Sequence, residues 1–158
     1  MKKRFQLTIF LFLMVSLSAA ASEPGQLKPD KHEKCPVCGM FVYKYPDWTA
    51  QVIFNDQSRF YFDGVKDLFK YVFHLDSYHP GKTAADIKAI RVTDYYDMLA
   101  IDGRSAHYVA GSDVTGPMGR ELIPFATREA ALEFKKDHGG TAILTYAQIT
   151  PAVIDKLD

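Results

Sequence analysis

The chain has 158 residues with 19 basic and 19 acidic side chains, so it carries no formal net charge. Its length favours a single domain, and its composition, 47% hydrophobic and 13% aromatic, excludes disorder as the main state. Two cysteines are too few for a disulfide-rich scaffold.

The first 21 residues have the pattern of a secretory signal peptide. Basic residues at 2–4 precede an apolar run, 7–17, which is shorter than the ~20 residues of a transmembrane helix, and small residues follow up to Ala21. We predict cleavage after Ala21 and a periplasmic location, with an uncleaved signal anchor as the alternative. No cysteine lies near the cleavage site, so no lipid anchor is predicted.

Cleavage changes the charge of the protein. Loss of the three basic residues leaves 16 basic against 19 acidic side chains, a formal charge of −3. A mildly acidic domain is a poor partner for nucleic acid, so we expect no nucleic-acid binding.

Residues 22–34 are polar and lack periodicity, which predicts a flexible leader before a domain at 35–158. Two segments rich in strand formers, 49–54 and 59–62, flank turn residues and indicate a hairpin. Asp63 is then a candidate N-cap of a helix. The apolar face of this helix has the spacing i, i+3, i+4 and i+7 and consists of Val65, Leu68, Phe69 and Val72.

The second half of the chain has the same order of elements. Strands are predicted over 106–110 and 121–125, and Thr127 caps a helix that ends at Gly139 and Gly140. The strand-to-helix junctions align at an offset of 63 residues, which places Phe62 over Phe125.

We therefore predict an α+β fold built from two pseudo-symmetric ββα units, at about 48–75 and 105–139. A loop at 111–120 separates the two strands of the second unit. A short helix is predicted from Thr150. Further strands are predicted over 88–95, 98–101 and 141–145.

The segment 35–40, CPVCGM, is the densest group of sulfur side chains in the sequence. Cys35, Cys38 and Met40 are soft donors, which select Cu(I) over harder ions. The Cys-x-x-Cys spacing alone is also compatible with a disulfide, a redox pair or half of a zinc site. A structural zinc site would have to recruit histidines, because the chain has no second cysteine pair.

A second exceptional sulfur is Met118, which lies in the Gly/Pro-bounded loop at 111–120 rather than on a periodic apolar face. If the two units face each other, this loop approaches the segment 35–40 and completes a thiolate/thioether site. His32 and His107 are candidates for an additional nitrogen ligand. No carboxylate pair, Ser-His-Asp set or phosphate-binding loop is apparent, so the protein is not expected to be an enzyme.

An ordered set of motifs resembles the NosL family of nitrous oxide reductase accessory proteins. CPVCGM is followed by YPDW, TAQV and an FDG helix start, then by AHYVAGS, GPMG and a closing HGG before a strand. The resemblance covers about 35–144, nearly the whole predicted mature domain.

The resemblance implies a Cu(I)-binding metallochaperone that supplies copper to the copper–sulfide centre of nitrous oxide reductase, a denitrification enzyme. Its partners would be that reductase or its maturation transporter. By motif, Cys35, Cys38 and Met40 correspond to the family's N-terminal sulfur cluster and Met118 to its GPMG methionine. The alternatives are a periplasmic thiol-disulfide oxidoreductase acting through Cys35 and Cys38, or a general copper-binding or storage protein.

Overall fold

The computed structural model describes residues 25–158 and confirms the predicted combination of helices and antiparallel strands. The predicted signal peptide, 1–21, lies outside the described residues. Among the helices within 25–158, none has the length and apolar character needed to cross a bilayer.

The helices are α1 (Val65–Phe73), α2 (Leu75–Tyr78), α3 (Arg128–Asp137) and α4 (Pro151–Asp155). The strands are β1 (Ala50–Phe54), β2 (Arg59–Phe62), β3 (Ile87–Thr93), β4 (Ala100–Asp102), β5 (His107–Ala110), β6 (Thr115–Gly116), β7 (Gly119–Arg120), β8 (Ile123–Phe125) and β9 (Ala142–Thr145).

The first ββα unit consists of β1, β2 and α1. Strands β1 and β2 pair antiparallel, as predicted, with Ala50 opposite Phe62. β1 also pairs with β3, and the resulting four-stranded sheet has the order β2-β1-β3-β4. Alternate residues of β1 are fully buried, and Phe54 contacts Tyr71 of α1 edge to face. The helix therefore covers one face of this sheet.

The second ββα unit consists of β5, β8 and α3. β5 pairs antiparallel with β8, with His107 opposite Phe125, and also with β9. The predicted cap of α3 is confirmed, because Thr127 Oγ1 accepts a hydrogen bond from the Ala130 amide at 3.2 Å. Gly139 follows the helix at φ +64°, a conformation that favours glycine.

Helices α1 and α3 begin 63 residues apart, at Val65 and Arg128, as the alignment of the junctions predicts. Each follows an antiparallel strand pair, whereas the pseudo-symmetry of the two units stays a prediction. The loop at 111–120 contains the short ribbon β6–β7. Several strands are shorter than predicted: β3 ends at Thr93, and β8 begins at Ile123. β4 begins at Ala100, because Met98 has φ +57° and precedes the strand instead of belonging to it.

The described part of the predicted leader, 25–34, contacts the domain. The Gly25 carbonyl accepts a hydrogen bond from the Ala100 amide at 3.1 Å, at the start of β4. Leu27 is buried, and Lys34 forms a β-bridge with Phe41. These contacts hold the segment that precedes Cys35 against the domain.

Two apolar clusters fill the interior. The larger lies between the four-stranded sheet and α1, and it also takes in Tyr108 and Leu122 of the second unit and Ile154 of α4. The smaller lies under α3, around Phe125 and Phe134. Residues of the second unit thus complete the core on which α1 packs.

The buried carboxyl group of Glu121 joins the second unit to the start of α1. Glu121 Oε1 accepts hydrogen bonds from the Lys66 amide at 2.6 Å and from the Leu122 amide at 2.8 Å. Gly64 lies so close to this carboxylate that a Cβ there would collide with it. Burial raises the pKa of Glu121 to about 8.

This raised pKa predicts that stability falls as pH rises from about 5 to 8. A proton that the folded state holds more tightly than the unfolded state stabilises the fold below the unfolded pKa, and this contribution is lost as pH passes the folded pKa. Glu121→Gln removes this titrating group. The free energy of unfolding of the variant should therefore fall less steeply with pH than that of the unchanged protein, by up to about 1.4 kcal/mol per pH unit. Urea unfolding of both proteins across this range measures the difference, and parallel slopes would contradict the assignment.

Candidate metal centre

The Cys35–Met40 segment is a tight turn closed by its own backbone. The Cys35 amide donates to the Met40 carbonyl at 2.8 Å, and the Gly39 amide donates to the Cys35 carbonyl at 2.9 Å. Gly39 has φ +77°, which explains the glycine at this position. Both cysteines are free thiols, Cys35 buried and Cys38 half-buried.

Two aspartates complete a four-residue group, which we call the Cys2Asp2 cluster: Cys35, Cys38, Asp63 and Asp67. One donor atom from each residue lies within 4.8 Å of the others. Asp63 follows β2 directly and Asp67 lies in the first turn of α1. Asp63 precedes the extended N-cap Gly64 and Asp67 follows it, and both carboxylates contact the cysteine turn from the two sides of this helix start.

Each thiol donates a hydrogen bond to one carboxylate. Cys35 Sγ lies 3.3 Å from Asp67 Oδ2, and Cys38 Sγ lies 3.2 Å from Asp63 Oδ1. Asp63 is 1% exposed, and its second oxygen, Oδ2, is buried without a hydrogen-bond partner in the structure. The carboxylates therefore face the thiols and not the solvent.

This environment keeps both thiols protonated. Burial raises the pKa of Cys35 far above its ordinary value, and the adjacent carboxylate of Asp63 adds to the shift. Burial likewise raises the pKa of Cys38 to about 12, with Asp63 and Asp67 acting in the same direction. A metal ion that binds here has to displace these protons.

The predicted capping role of Asp63 is wrong. The N-cap of α1 is Gly64, no side chain caps it, and the Lys66 amide is satisfied by Glu121 from the second unit. Asp63 is thereby left free to face Cys38. The signal in the sequence is the pair Asp63 and Asp67 at the start of a helix; capping accounts for Asp63 alone, and Asp67 has no predicted role.

The two predicted methionine ligands occupy different positions. Met40 is half-buried, and its Sδ accepts a hydrogen bond from the Tyr45 hydroxyl at 3.6 Å. Met118 is 44% exposed and lies at the turn of the β6–β7 ribbon, where its carbonyl accepts a hydrogen bond from Lys66 Nζ at 2.9 Å. Lys66 neighbours Asp67, so this contact joins the Met118 turn to the helix that carries half of the cluster.

The two candidate histidines are not in the Cys2Asp2 cluster. His32 is exposed, and its amide donates to Asp30. His107 lies on β5, where its Nδ1 is buried without a hydrogen-bond partner in the structure. Their role as additional ligands stays a prediction.

The chain is similar in sequence to one family model and in fold to a solved structure. The family model described as NosL matches residues 26–154. The crystal structure of the copper chaperone NosL from Shewanella denitrificans has 24% sequence identity and a TM-score of 0.68, over 82% of this chain and 99% of that chain, and so has the same fold. The solution structure of apo-NosL from Achromobacter cycloclastes has 29% identity and a TM-score of 0.47, over 66% and 87%. No curated protein matches by sequence.

The contact between Asp63 and Cys38 predicts a change in thiol reactivity. Asp63→Asn removes a negative charge that disfavours the Cys38 thiolate, so the pKa of that thiol should fall. Each unit of fall gives about tenfold more thiolate at neutral pH and a faster reaction with iodoacetamide. The rate is measured in a Cys35→Ser background, in which Cys38 is the only remaining cysteine.

The matched control is Asp137→Asn, which neutralises an exposed carboxylate on α3. It should leave the alkylation rate unchanged. An unchanged rate in a folded Asp63→Asn protein would show that the carboxylate does not control the thiol.

Proposed function

Since the chain belongs to the NosL family, we propose that it is an exported copper chaperone that binds Cu(I) through Cys35 and Cys38. The observation that carries the proposal is the convergence of two free thiols on one tight turn. Met118 and Met40 are the proposed thioether ligands. The cargo would pass to nitrous oxide reductase or its maturation transporter, for assembly of the copper–sulfide centre, in the periplasm.

The donor set suits Cu(I) by its softness. Polarisable thiolates bind a soft d¹⁰ cation strongly, whereas carboxylates prefer harder ions. The two sulfurs are thus the primary ligands, and Asp63 and Asp67 are secondary for this ion. Because both thiols carry raised pKa values, Cu(I) affinity falls as pH falls, since protons compete with the metal for sulfur.

Met118 is suited to transfer. A neutral thioether is a weaker ligand than a thiolate, and this one is exposed at the end of a ribbon where a partner's ligands can replace it. The Lys66 contact keeps the Met118 backbone near the start of α1. Delivery therefore begins most readily at this exposed ligand.

The thiol chemistry favours a carrier over the alternative of a thiol-disulfide oxidoreductase. An oxidoreductase needs a low thiol pKa to form the attacking thiolate. Here burial raises the pKa of both Cys35 and Cys38. Within residues 25–158, no strand precedes the turn and no α-helix lies between it and β1, unlike a thioredoxin-type motif.

A Cu(I) competition titration on reduced protein tests the proposal. One Cu(I) per chain should bind tightly, and Cys35→Ser or Cys38→Ser should weaken binding by about 100-fold or more, because each removes one of few strong ligands. Met118→Leu should weaken it by about tenfold, because a thioether contributes less than a thiolate.

The matched control is Met98→Leu, which removes a thioether at a turn before β4, on the first sheet's β3–β4 connection. Its affinity should equal that of the unchanged protein. Equal Cu(I) affinity in both cysteine variants would refute the proposal, and equal affinity in Met118→Leu alone would remove that residue from the ligand set.

A further inference from the structure

The Cys2Asp2 cluster contains more negative charge than Cu(I) binding requires. Asp63 and Asp67 are 1% and 2% exposed, and among the described residues neither forms an ion pair with a lysine, arginine or histidine. The nearby Lys66 ammonium instead binds the carbonyls of Met118 and Leu157 and the carboxylate of Asp158. Buried carboxylates are costly without a compensating cation.

One oxygen shows this imbalance directly. Asp63 Oδ1 accepts the Cys38 thiol, while Asp63 Oδ2 is buried and has no partner in the structure. The same carboxyl group is part of a set of four donor atoms within 4.8 Å of one another. An unsatisfied oxygen in such a set is the coordination position that a cation would fill.

We propose that the Cys2Asp2 cluster is also a binding site for a divalent cation of borderline softness, Zn²⁺, held by both sulfurs and one oxygen from each aspartate. Zn²⁺ accepts cysteine sulfur at about 2.3 Å and carboxylate oxygen at about 2.0–2.2 Å in tetrahedral sites. Those bond lengths place neighbouring sulfur and oxygen ligands about 3.5 Å apart. The observed S···O distances of 3.3 and 3.2 Å are those of the thiol–carboxylate hydrogen bonds and are slightly shorter than that spacing. A metal that replaces the two protons therefore needs only small movements along these two edges, and Asp63 can offer it the unpaired Oδ2.

The aspartates distinguish the two ions. Oxygen donors add little to the binding of soft Cu(I) and substantially to the binding of Zn²⁺. Zn²⁺ that displaces the two thiol protons to solvent leaves the formal charge of the cluster unchanged, whereas Cu(I) would leave it one unit more negative, so the divalent ion is better balanced beside the two carboxylates. Zn²⁺ held here would keep both sulfurs as coordinated thiolates and out of a disulfide until a stronger sulfur-seeking ion displaced it.

The experiment compares two metals on the same reduced, metal-free chain. A chelator competition titration should give one Zn²⁺ per chain, and Asp63→Asn and Asp67→Asn should each weaken Zn²⁺ binding by about tenfold or more. Cu(I) affinity should not fall in either variant, because carboxylate oxygens add little to the binding of this soft ion and the loss of a carboxylate beside the thiols favours their thiolate forms. Asp137→Asn, on the surface of α3, is the control and should alter neither metal.

A second measurement follows Zn²⁺ binding in the wild-type protein and uses the variants only to assign resonances. In wild-type protein labelled at the aspartate carboxyl carbon, Zn²⁺ should shift two carboxyl resonances strongly, and these should be the resonances absent from the otherwise unchanged spectra of Asp63→Asn and Asp67→Asn. Failure to bind Zn²⁺, equal Zn²⁺ affinity in both variants, or unmoved carboxyl resonances would each overturn the zinc site. None of these results alters the Cu(I) titration of the cysteine variants, so the two proposals fail separately.

Discussion

The first turn of α1 is the point on which the rest of the site depends. The Lys66 amide in this turn donates a hydrogen bond to Glu121 of the second unit. The Lys66 ammonium donates to the carbonyls of Met118 and Leu157. Asp67, on the same turn, holds Cys35. A single helical turn therefore connects the cysteine turn, the Met118 ribbon and the second ββα unit.

Burial at this point has a chemical consequence. Glu121 takes over the role that a capping side chain would have, so Asp63 and Asp67 are left as acceptors for two thiols. The low local dielectric raises the pKa of the thiols and strengthens their interaction with any cation that displaces the protons. Each thiol is thus protonated and donates a hydrogen bond to one carboxylate, and a metal ion that binds has to displace these protons.

The two parts of the proposed ligand set differ in how firmly the surrounding structure holds them. The cysteine turn is closed by backbone hydrogen bonds and packs against α1, with Cys35 in the larger core. Met118 lies on a two-stranded ribbon, exposed to solvent. A carrier benefits from this division, because firm ligands retain the ion while an exposed weak ligand admits the recipient.

Local sequence determined much of the fold and the sulfur half of the site. The hairpin at β1–β2, the capped helix α3 and the glycine at position 39 follow from strand propensity, capping and backbone sterics, which act over a few residues. The ordered motifs also identified the family, as the match over 26–154 confirms.

The tertiary structure alone decided which aspartates serve the site. Asp63 resembles a helix cap in sequence, and only the arrival of Glu121, 58 positions later in the chain, frees it to face Cys38. Patterns within a few residues do not reveal that Glu121 replaces Asp63 as the acceptor at the helix start, because Glu121 comes from the other unit. The proposed sulfur ligands were thus visible in the sequence, whereas the aspartates of the cluster depended on how the two units pack at one helical turn.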